Sequence, residues 1–568
     1  MSRVLQPGLL AAAVALQAGL SIHAMRGNSA TFDEGAHLPA GYSYLALGDH
    51  RLNPEQPPLV KLAAALPLVA LRPELRRDDV SWVQARQWEF GRRFLYRWND
   101  ADRLLFAGRL PVVALASCLV VAVLVVARKR FSPLAACAAA GLAALSPDVL
   151  AHGGLVTTDL AFALFFFLAV VAFDRLLERP SARRLIAAGL LTGAAFASKF
   201  SAPILLPVFL ALGVAALAAR RARPARLLVS LAGVLVLALA VVWASYGFRP
   251  ALSPDAAVRA ELVQAVDSRP EGALRSVLAF AGRAGIVPED YARGMLFVTE
   301  HSAARPTFLL GELRDRPFPH YFAVTFLLKT PLPLLLLTAL ALARAPRLAR
   351  RDAVLVWVPV AVYVAATATR GLQIGHRHLL PIYPFLFLAA GEALSALRGW
   401  RAPRGASVAA ALLLWYAGGT LAQHPHHLAY FNELAGGPGN GWRRLVDSNL
   451  DWGQDLKRLA AWLRENPAPG LKLSYFGSAD PAYYGIESEA LPGYTAPHAP
   501  RITREIRPGD VLAVSATNLQ GVYLGPEDRA LMARVRALQP IARVGYSIFV
   551  FRSDFAWPPA NVESAGSP

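Results

Sequence analysis

Two acidic residues stand side by side near the amino terminus, in Thr31-Phe32-Asp33-Glu34-Gly35-Ala36-His37. Such a pair has an ordinary reading, with Thr31 or Asp33 capping a helix and Glu34 favouring its dipole. Asp159, after Thr157-Thr158, admits the same reading. Capping leaves the cations unexplained. Lys199, in Ala197-Ser198-Lys199-Phe200, and Arg377, flanked by His376 and His378, lie in short connections between apolar runs, as do His152 and Arg370. Acids with a lysine and an arginine suit chemistry at a lipid-linked phosphate. The cations bind the phosphate and stabilise its charge as it leaves, while a carboxylate takes the proton of an attacking hydroxyl. Phosphate is a good leaving group, so no general acid is needed. One direct displacement at a sugar carbon inverts the anomeric configuration without a covalent glycosyl-enzyme.

The elements that must hold these groups on one side are membrane spans. The chain has 568 residues, 55% hydrophobic and 17% charged, with a mean hydropathy of +0.38. Soluble domains carry roughly 25% charge, so a soluble enzyme is excluded, and low charge with high apolar content excludes a disordered chain. Cys118 and Cys137 both sit in apolar runs, which excludes a disulfide framework and reads as core packing. Apolar runs of spanning length fall at about 4–24, 104–127, 134–150, 159–177, 185–197, 202–219, 227–248, 321–343, 353–369, 379–397 and 406–421, which makes eleven spans. The first lacks a cleavage site and reads as an anchor. Arginine-rich connections at 128–130, 175–184, 220–226, 344–351 and 398–404 alternate with the others. By the positive-inside rule they are cytoplasmic, which places the amino terminus inside and the carboxyl terminus outside. Most of the net charge of +19 is thereby topological, and nucleic acid is not expected as a partner.

The predicted division is a membrane domain over 1–423, with large outer loops at about 25–103 and 249–320, and an extracytoplasmic α/β or α+β domain over 424–568. Leu59–Leu71 is too short to span and reads as a helix lying in the interface. Strand-like runs at Leu471–Phe476, Val511–Ser515 and Tyr546–Phe551 follow a polar helix near Leu456–Arg464. No internal repeat is visible. Ionisable groups at membrane depth are costly and mark function by default. Here they gather at the outer helix ends.

The first loop carries Asp33-Glu34-Gly35-Ala36-His37, Gly41-Tyr42, Gly48-Asp49 and Asn53-Pro54-Glu55-Gln56-Pro57-Pro58-Leu59-Val60-Lys61. It resembles that of GT-C glycosyltransferases, nearest the family-39 group related to protein O-mannosyltransferases and lipid A aminoarabinose transferases. Thr158-Asp159-Leu160, Gly193 through Lys199, and Arg377-His378-Leu379-Leu380-Pro381 extend the resemblance over the membrane half. It implies a polyprenyl-phosphate sugar donor, a hexose or pentose, and Asp33 as catalytic base with Glu34 beside it. Lys199 and Arg377 match phosphate-contacting positions, with His376 and His378 alongside and His37, Asp159 and Lys61 in support. His378 departs from the aromatic residue usual after the loop arginine, and the carboxyl domain resembles neither characterised branch closely.

The stretch His427 through Pro438, followed by Asp447-Ser448-Asn449-Leu450-Asp451-Trp452-Gly453-Gln454-Asp455-Leu456, also resembles a segment of this group. Its alternating acids suggest a calcium loop, but the glycine falls one place late and no glutamate stands at the twelfth position. Turn chemistry is the stronger reading. Asp447, Asp451 and Trp452 could face the acceptor, because the segment follows the last span directly. Asp33, Glu34, His37 and Asp159 offer donors for a divalent ion, with no geometry fixed by their spacing. The expected protein is a multi-pass glycosyltransferase of a bacterial inner membrane, acting in the periplasm on a glycan, lipid or protein hydroxyl of the cell envelope. The competing readings are a transporter or flippase of a lipid-linked or anionic envelope precursor, and an envelope scaffold. Transporters place charges near the midplane and often show repeats, which this chain does not.

Overall fold

A computed structural model describes residues 5–249, 273–301, 305–368, 371–399, 403–494 and 502–558. The expected loop charges Arg370 and Arg401 lie outside these residues. The helices that matter here are α1 (Leu5–Arg26), α2 (Glu34–Leu47), α3 (Leu59–Leu71), α4 (Ala101–Arg130), α5 (Thr158–Glu178), α6 (Ala182–Phe196), α7 (Tyr321–Lys329), α8 (Leu332–Arg344), α9 (Arg350–Ala368) and α10 (Tyr383–Gly399). Among the described residues seven helices are long and apolar enough to cross a membrane, or eight if the bent pair α7–α8 counts as one span. The other three of the eleven expected runs appear as shorter helices: the apolar Pro133–Ala144 and Ala202–Ala218, and α6. At 1.5 Å per residue, the 15 residues of α6 reach only about 22 Å. Lipid-facing character is plain on Pro224–Ser245, where Leu228, Val229 and Val236 stand exposed. By contrast α5 and α10 are buried along most of their length and form the centre of the bundle.

Residues 321–343, expected as one run, are instead broken by 115° between α7 and α8. The cause is local. Pro331 disfavours helical backbone at the residue before it, and Thr330 is extended, with ψ of 130°. Carbonyls freed at such a break need partners at membrane depth. Asn432 supplies them, its Nδ2 donating to Leu327 O at 2.6 Å and to Thr330 O at 2.7 Å. Lys329 is buried at the same break, and its Nζ donates to Leu428 O at 2.8 Å and Asn449 O at 2.6 Å. The chain after the last long helix is thus laced into the membrane bundle.

The carboxyl region builds a five-stranded sheet from β1 (Lys472–Ser474), β2 (Glu489–Ala490), β3 (Val511–Ser515), β4 (Ala542–Val544) and β5 (Ile548–Arg552), in the order β2-β1-β3-β5-β4. β1 runs parallel to β2 and β3, and β5 is antiparallel to β3 and β4. Every residue of β3 is buried, as its apolar run Val511–Val514 requires of a central strand. Gly453 shows how closely this region packs on itself. Its φ is +89°, and a Cβ there would lie 2.7 Å from Gly477 Cα, so only glycine fits.

Candidate functional site

The loop after α1 is fixed from two directions. From below, Arg109 of α4 donates to the carbonyls of Met25, Asn28 and Ser29 at 2.8–3.0 Å. From above, the carboxyl region clasps it: Ser29 N donates to Gln454 O at 3.0 Å, Phe32 N to Trp452 O at 2.8 Å, and Ser478 Oγ to Thr31 O at 3.2 Å. Residues more than 400 positions apart in sequence therefore set where Asp33 stands.

The two adjacent acids have opposite fates. Asp33 opens α2, but its side chain makes no capping bond. Its Oδ2 instead accepts from Arg377 Nη1 at 2.8 Å, and its side chain remains 25% exposed, facing a cavity. Glu34 points away from that cavity and is fully buried. Its Oε1 accepts from Arg109 Nε and Val156 N, both at 2.8 Å; its Oε2 accepts from Arg109 Nη2 at 2.7 Å, Thr31 N at 2.8 Å and Thr31 Oγ1 at 3.0 Å. The Thr31 contacts are those of a capping-box glutamate reaching back one turn. Burial alone would raise the Glu34 carboxyl, but Arg109 and the backbone donors outweigh it and hold it below the usual range. Glu34 thereby ties the start of α2 and the loop before it to Arg109 and Val156.

Asp159, near the start of α5, likewise does no capping. It is buried, pairs with Lys199, and stands 3.4 Å from Arg377 Nη1. Arg377 thus bridges Asp33 and Asp159, and its guanidinium lies 4.1 Å above the Trp452 ring. Lys199, Arg377, His378, Asp33, Asp447 and Trp452 all line one cavity of about 520 Å³. It continues past Lys199 and His378 into a groove of about 380 Å³ walled by Phe200, Met295, Val298 and Leu372. Tyr523 Oη donates to Asp447 Oδ2 at 2.7 Å. Burial raises the Asp447 carboxyl, opposed by Tyr523 and Arg377.

The remaining expected residues serve the frame. His37 is buried, its Nδ1 donating to Val156 O at 2.9 Å, and burial lowers its pKa. His376 faces Tyr383 Oη at 2.6 Å and Asp148 at 3.5 Å, not the cavity. Lys61 of α3 is buried against oxygens of Asn53, Gln56 and Tyr44 at 2.7–3.2 Å, and burial pulls its pKa well below that of an ordinary lysine. Lys61 therefore clamps the turn that carries Glu55 and Gln56 to the cavity wall. Asp451 turns inward: its Oδ2 accepts from Thr517 N at 2.8 Å, Oδ1 has no partner, and burial pushes the carboxyl up to about 8.

No calcium loop forms from the alternating acids, since Asp447 faces the cavity, Asp451 binds Thr517 and Asp455 accepts from Ser547 Oγ at 2.7 Å. Nor do Asp33, Glu34, His37 and Asp159 converge; among the described residues no three His, Cys, Asp or Glu side chains gather as a metal site.

Several cavity residues escaped the sequence reading. Glu55, Arg305, Gln87 and Tyr523 line it beside an aromatic wall of Phe32, Trp88, Phe476 and Tyr494. Gln87 Nε2 donates to Glu55 Oε1 at 2.6 Å, and loss of solvent, with Asp33 nearby, raises the Glu55 carboxyl. Arg109 and Lys329 were detectable, because each is a charge inside an apolar run.

Residues 101–246 match the family model described as dolichyl-phosphate-mannose-protein mannosyltransferase. No curated protein matches the chain in sequence. Among solved structures, an oligosaccharyltransferase of Archaeoglobus fulgidus in the apo form aligns with TM-score 0.52 at 13% identity, over 99% of this chain and 76% of its own. The same enzyme tethered to an acceptor peptide containing the NVT sequon gives 0.50 at 11%, over 99% and 75%. ArnT from Cupriavidus metallidurans bound to undecaprenyl phosphate aligns over 99% of each chain at 15% identity, with TM-score 0.47. The fold is the GT-C membrane fold that the resemblance in the first loop implies.

Proposed function

We propose that this GT-C chain is a glycosyltransferase that moves a sugar from a polyprenyl-phosphate donor to an acceptor hydroxyl. The observation that carries the proposal is the junction at Lys199 and His378, where a polar cavity holding Asp33 and Arg377 meets an apolar groove. A lipid phosphate needs both halves. Its polyprenyl tail lies along Met295, Val298 and Leu372, and its phosphate meets Arg377 and Lys199 through charge-assisted hydrogen bonds. Trp452 backs the Arg377 guanidinium from the other side.

Asp33 takes the proton from the acceptor hydroxyl as that oxygen attacks the anomeric carbon. The bond to phosphate breaks on the opposite side, and the negative charge gathers on the phosphate beside Arg377 and Lys199. The anomeric configuration inverts. Arg377 has a second duty: it pairs with Asp33 in the free enzyme, and donor phosphate then competes for the same guanidinium. Asp447, Tyr523 and the aromatic wall line the acceptor side. The sheet domain over 424–568, the cytoplasmic amino terminus and the periplasmic working face complete this reading, in a bacterial inner membrane.

The test uses purified protein in lipid discs with a panel of labelled polyprenyl-phosphate sugars, read as release of polyprenyl phosphate. Release with one donor names the sugar and the reaction class. Binding of lipid phosphate without release, together with movement of lipid between leaflets, would favour the flippase.

A further inference from the structure

A second cavity, this one basic, lies at the opposite ends of the same helices. α5 begins at the candidate site with Asp159 and ends at Glu178, about 30 Å away for its 21 residues. There α4 and α6 each pack on α5 but scarcely on one another. They leave a groove of about 560 Å³ between them. Its rim holds six cations, Lys129, Arg130, Arg175, Arg183, Arg184 and Arg351, against the single carboxylate Glu178. Deeper in, its walls are apolar, with Ala122, Val125, Leu168 and Ala172.

The neighbouring carboxylates are already engaged. Asp174 accepts from Arg130 at 2.7 Å and Arg351 at 2.8 Å, Asp352 from Arg130 at 3.2 Å, and Glu178 from Arg351 at 2.6 Å. Arg184 donates to the carbonyls of Arg175 and Arg179. Among the described residues Lys129, Arg175 and Arg183 have no carboxylate within ion-pair distance, and Arg175 feels three cations, Arg130, Arg184 and Arg351, against the one carboxylate of Asp174. Cations this crowded repel, and an anion placed between them removes the repulsion.

We propose that this groove binds one anionic diacyl phospholipid, with its phosphate between Lys129, Arg175 and Arg183 and an acyl chain along Val125, Leu168 and Ala172. The geometry separates this from the positive-inside rule, which asks only for cations in a loop. A basic pocket between helix ends with an apolar floor is shaped for a lipid headgroup. Free phosphate would leave the apolar floor uncovered. A polyprenyl phosphate shares the phosphate chemistry, but its single chain would fill less of an open groove than two acyl chains.

The test is native mass spectrometry of the full-length protein in detergent, titrated in separate arms with phosphatidylglycerol, phosphatidylcholine, polyprenyl phosphate and inorganic phosphate. Wild type is expected to retain one phosphatidylglycerol in preference to phosphatidylcholine. Lys129→Gln/Arg175→Gln/Arg183→Gln should lose about tenfold or more in apparent affinity. Arg220→Gln/Arg221→Gln/Arg223→Gln, which removes as many charges from another connection, should lose none. Ala172→Trp, which fills the floor and keeps every charge, should lose the lipid as the triple variant does; this arm decides the matter if the triple variant misfolds. Equal losses in both triple variants, or no preference in wild type, would overturn the proposal. So would tighter retention of polyprenyl phosphate, or of inorganic phosphate, through these same residues.

Discussion

Replacing Glu34 with glutamine separates anchoring from catalysis in a pair of acids that sequence alone presents as equals. Both Glu34 oxygens carry an Arg109 donor, Nε on one and Nη2 on the other, and each also accepts from backbone at Val156 or Thr31. Glutamine replaces one oxygen with an NH2 group. Whichever way the amide turns, that NH2 faces donors only, and Arg109 is left buried without its counter-charge. Breaking a buried pair on one side costs about 3–5 kcal/mol. Asp33→Asn leaves Arg377 with Asp159 and touches a partly exposed side chain, so its cost should fall well below that of Glu34→Gln. The assay is the unfolding midpoint of each variant in detergent, paired with turnover per folded molecule. Glu34→Gln should lower the midpoint strongly, and Glu34→Gln/Arg109→Met should recover part of the loss, because the double change removes the stranded charge. A Glu34→Gln variant as stable as wild type but without turnover would refute the anchoring argument and return Glu34 to the chemistry.

Lys61→Met should loosen the Asn53–Gln56 turn it clamps; the expected result is a raised donor KM with faster proteolysis in that turn, and an unchanged turn would contradict the clamp. Asp451 folds with its carboxyl up at about 8 against 3.8 when unfolded. Between those values the unfolded chain has released a proton that the folded chain keeps, so stability falls as pH rises from about 4 to about 8. Asp451→Asn should flatten that slope and be the more stable form at pH 8, checked by unfolding midpoints across the window. Trp452→Leu removes the ring 4.1 Å from the Arg377 guanidinium, a contact worth about 0.5–2 kcal/mol, and should weaken polyprenyl-phosphate binding in proportion; Arg377→Ala should weaken it further, measured by lipid retention.

Asp33, Asp159, Lys199 and Arg377 stood out in the sequence because charge at a helix end or membrane depth is costly and contrasts with apolar runs, while Asp447 and Trp452 drew notice only because their segment follows the last apolar run. Their assembly into one cavity is the part the structure adds. What escaped depends on contacts across long separations. Glu34 and Asp33 differ only in direction at the first turn of α2, and that direction is set by Arg109, 75 residues away. Glu55, Arg305 and Tyr523 sit on loops without periodicity and reach the cavity only through tertiary packing. The apolar run at 321–343 is interrupted only by Lys329-Thr330, but Pro331 breaks it there and Asn432, over 100 residues later, satisfies the break.

The central claim is that Asp33 is the base at a site that binds a lipid phosphate. It is tested most directly by measuring polyprenyl phosphate released from the identified donor by wild type and by Asp33→Asn, beside retention of the donor by each. The account predicts that the variant folds, keeps the donor and releases nothing. Wild-type release from the Asp33→Asn protein would contradict it.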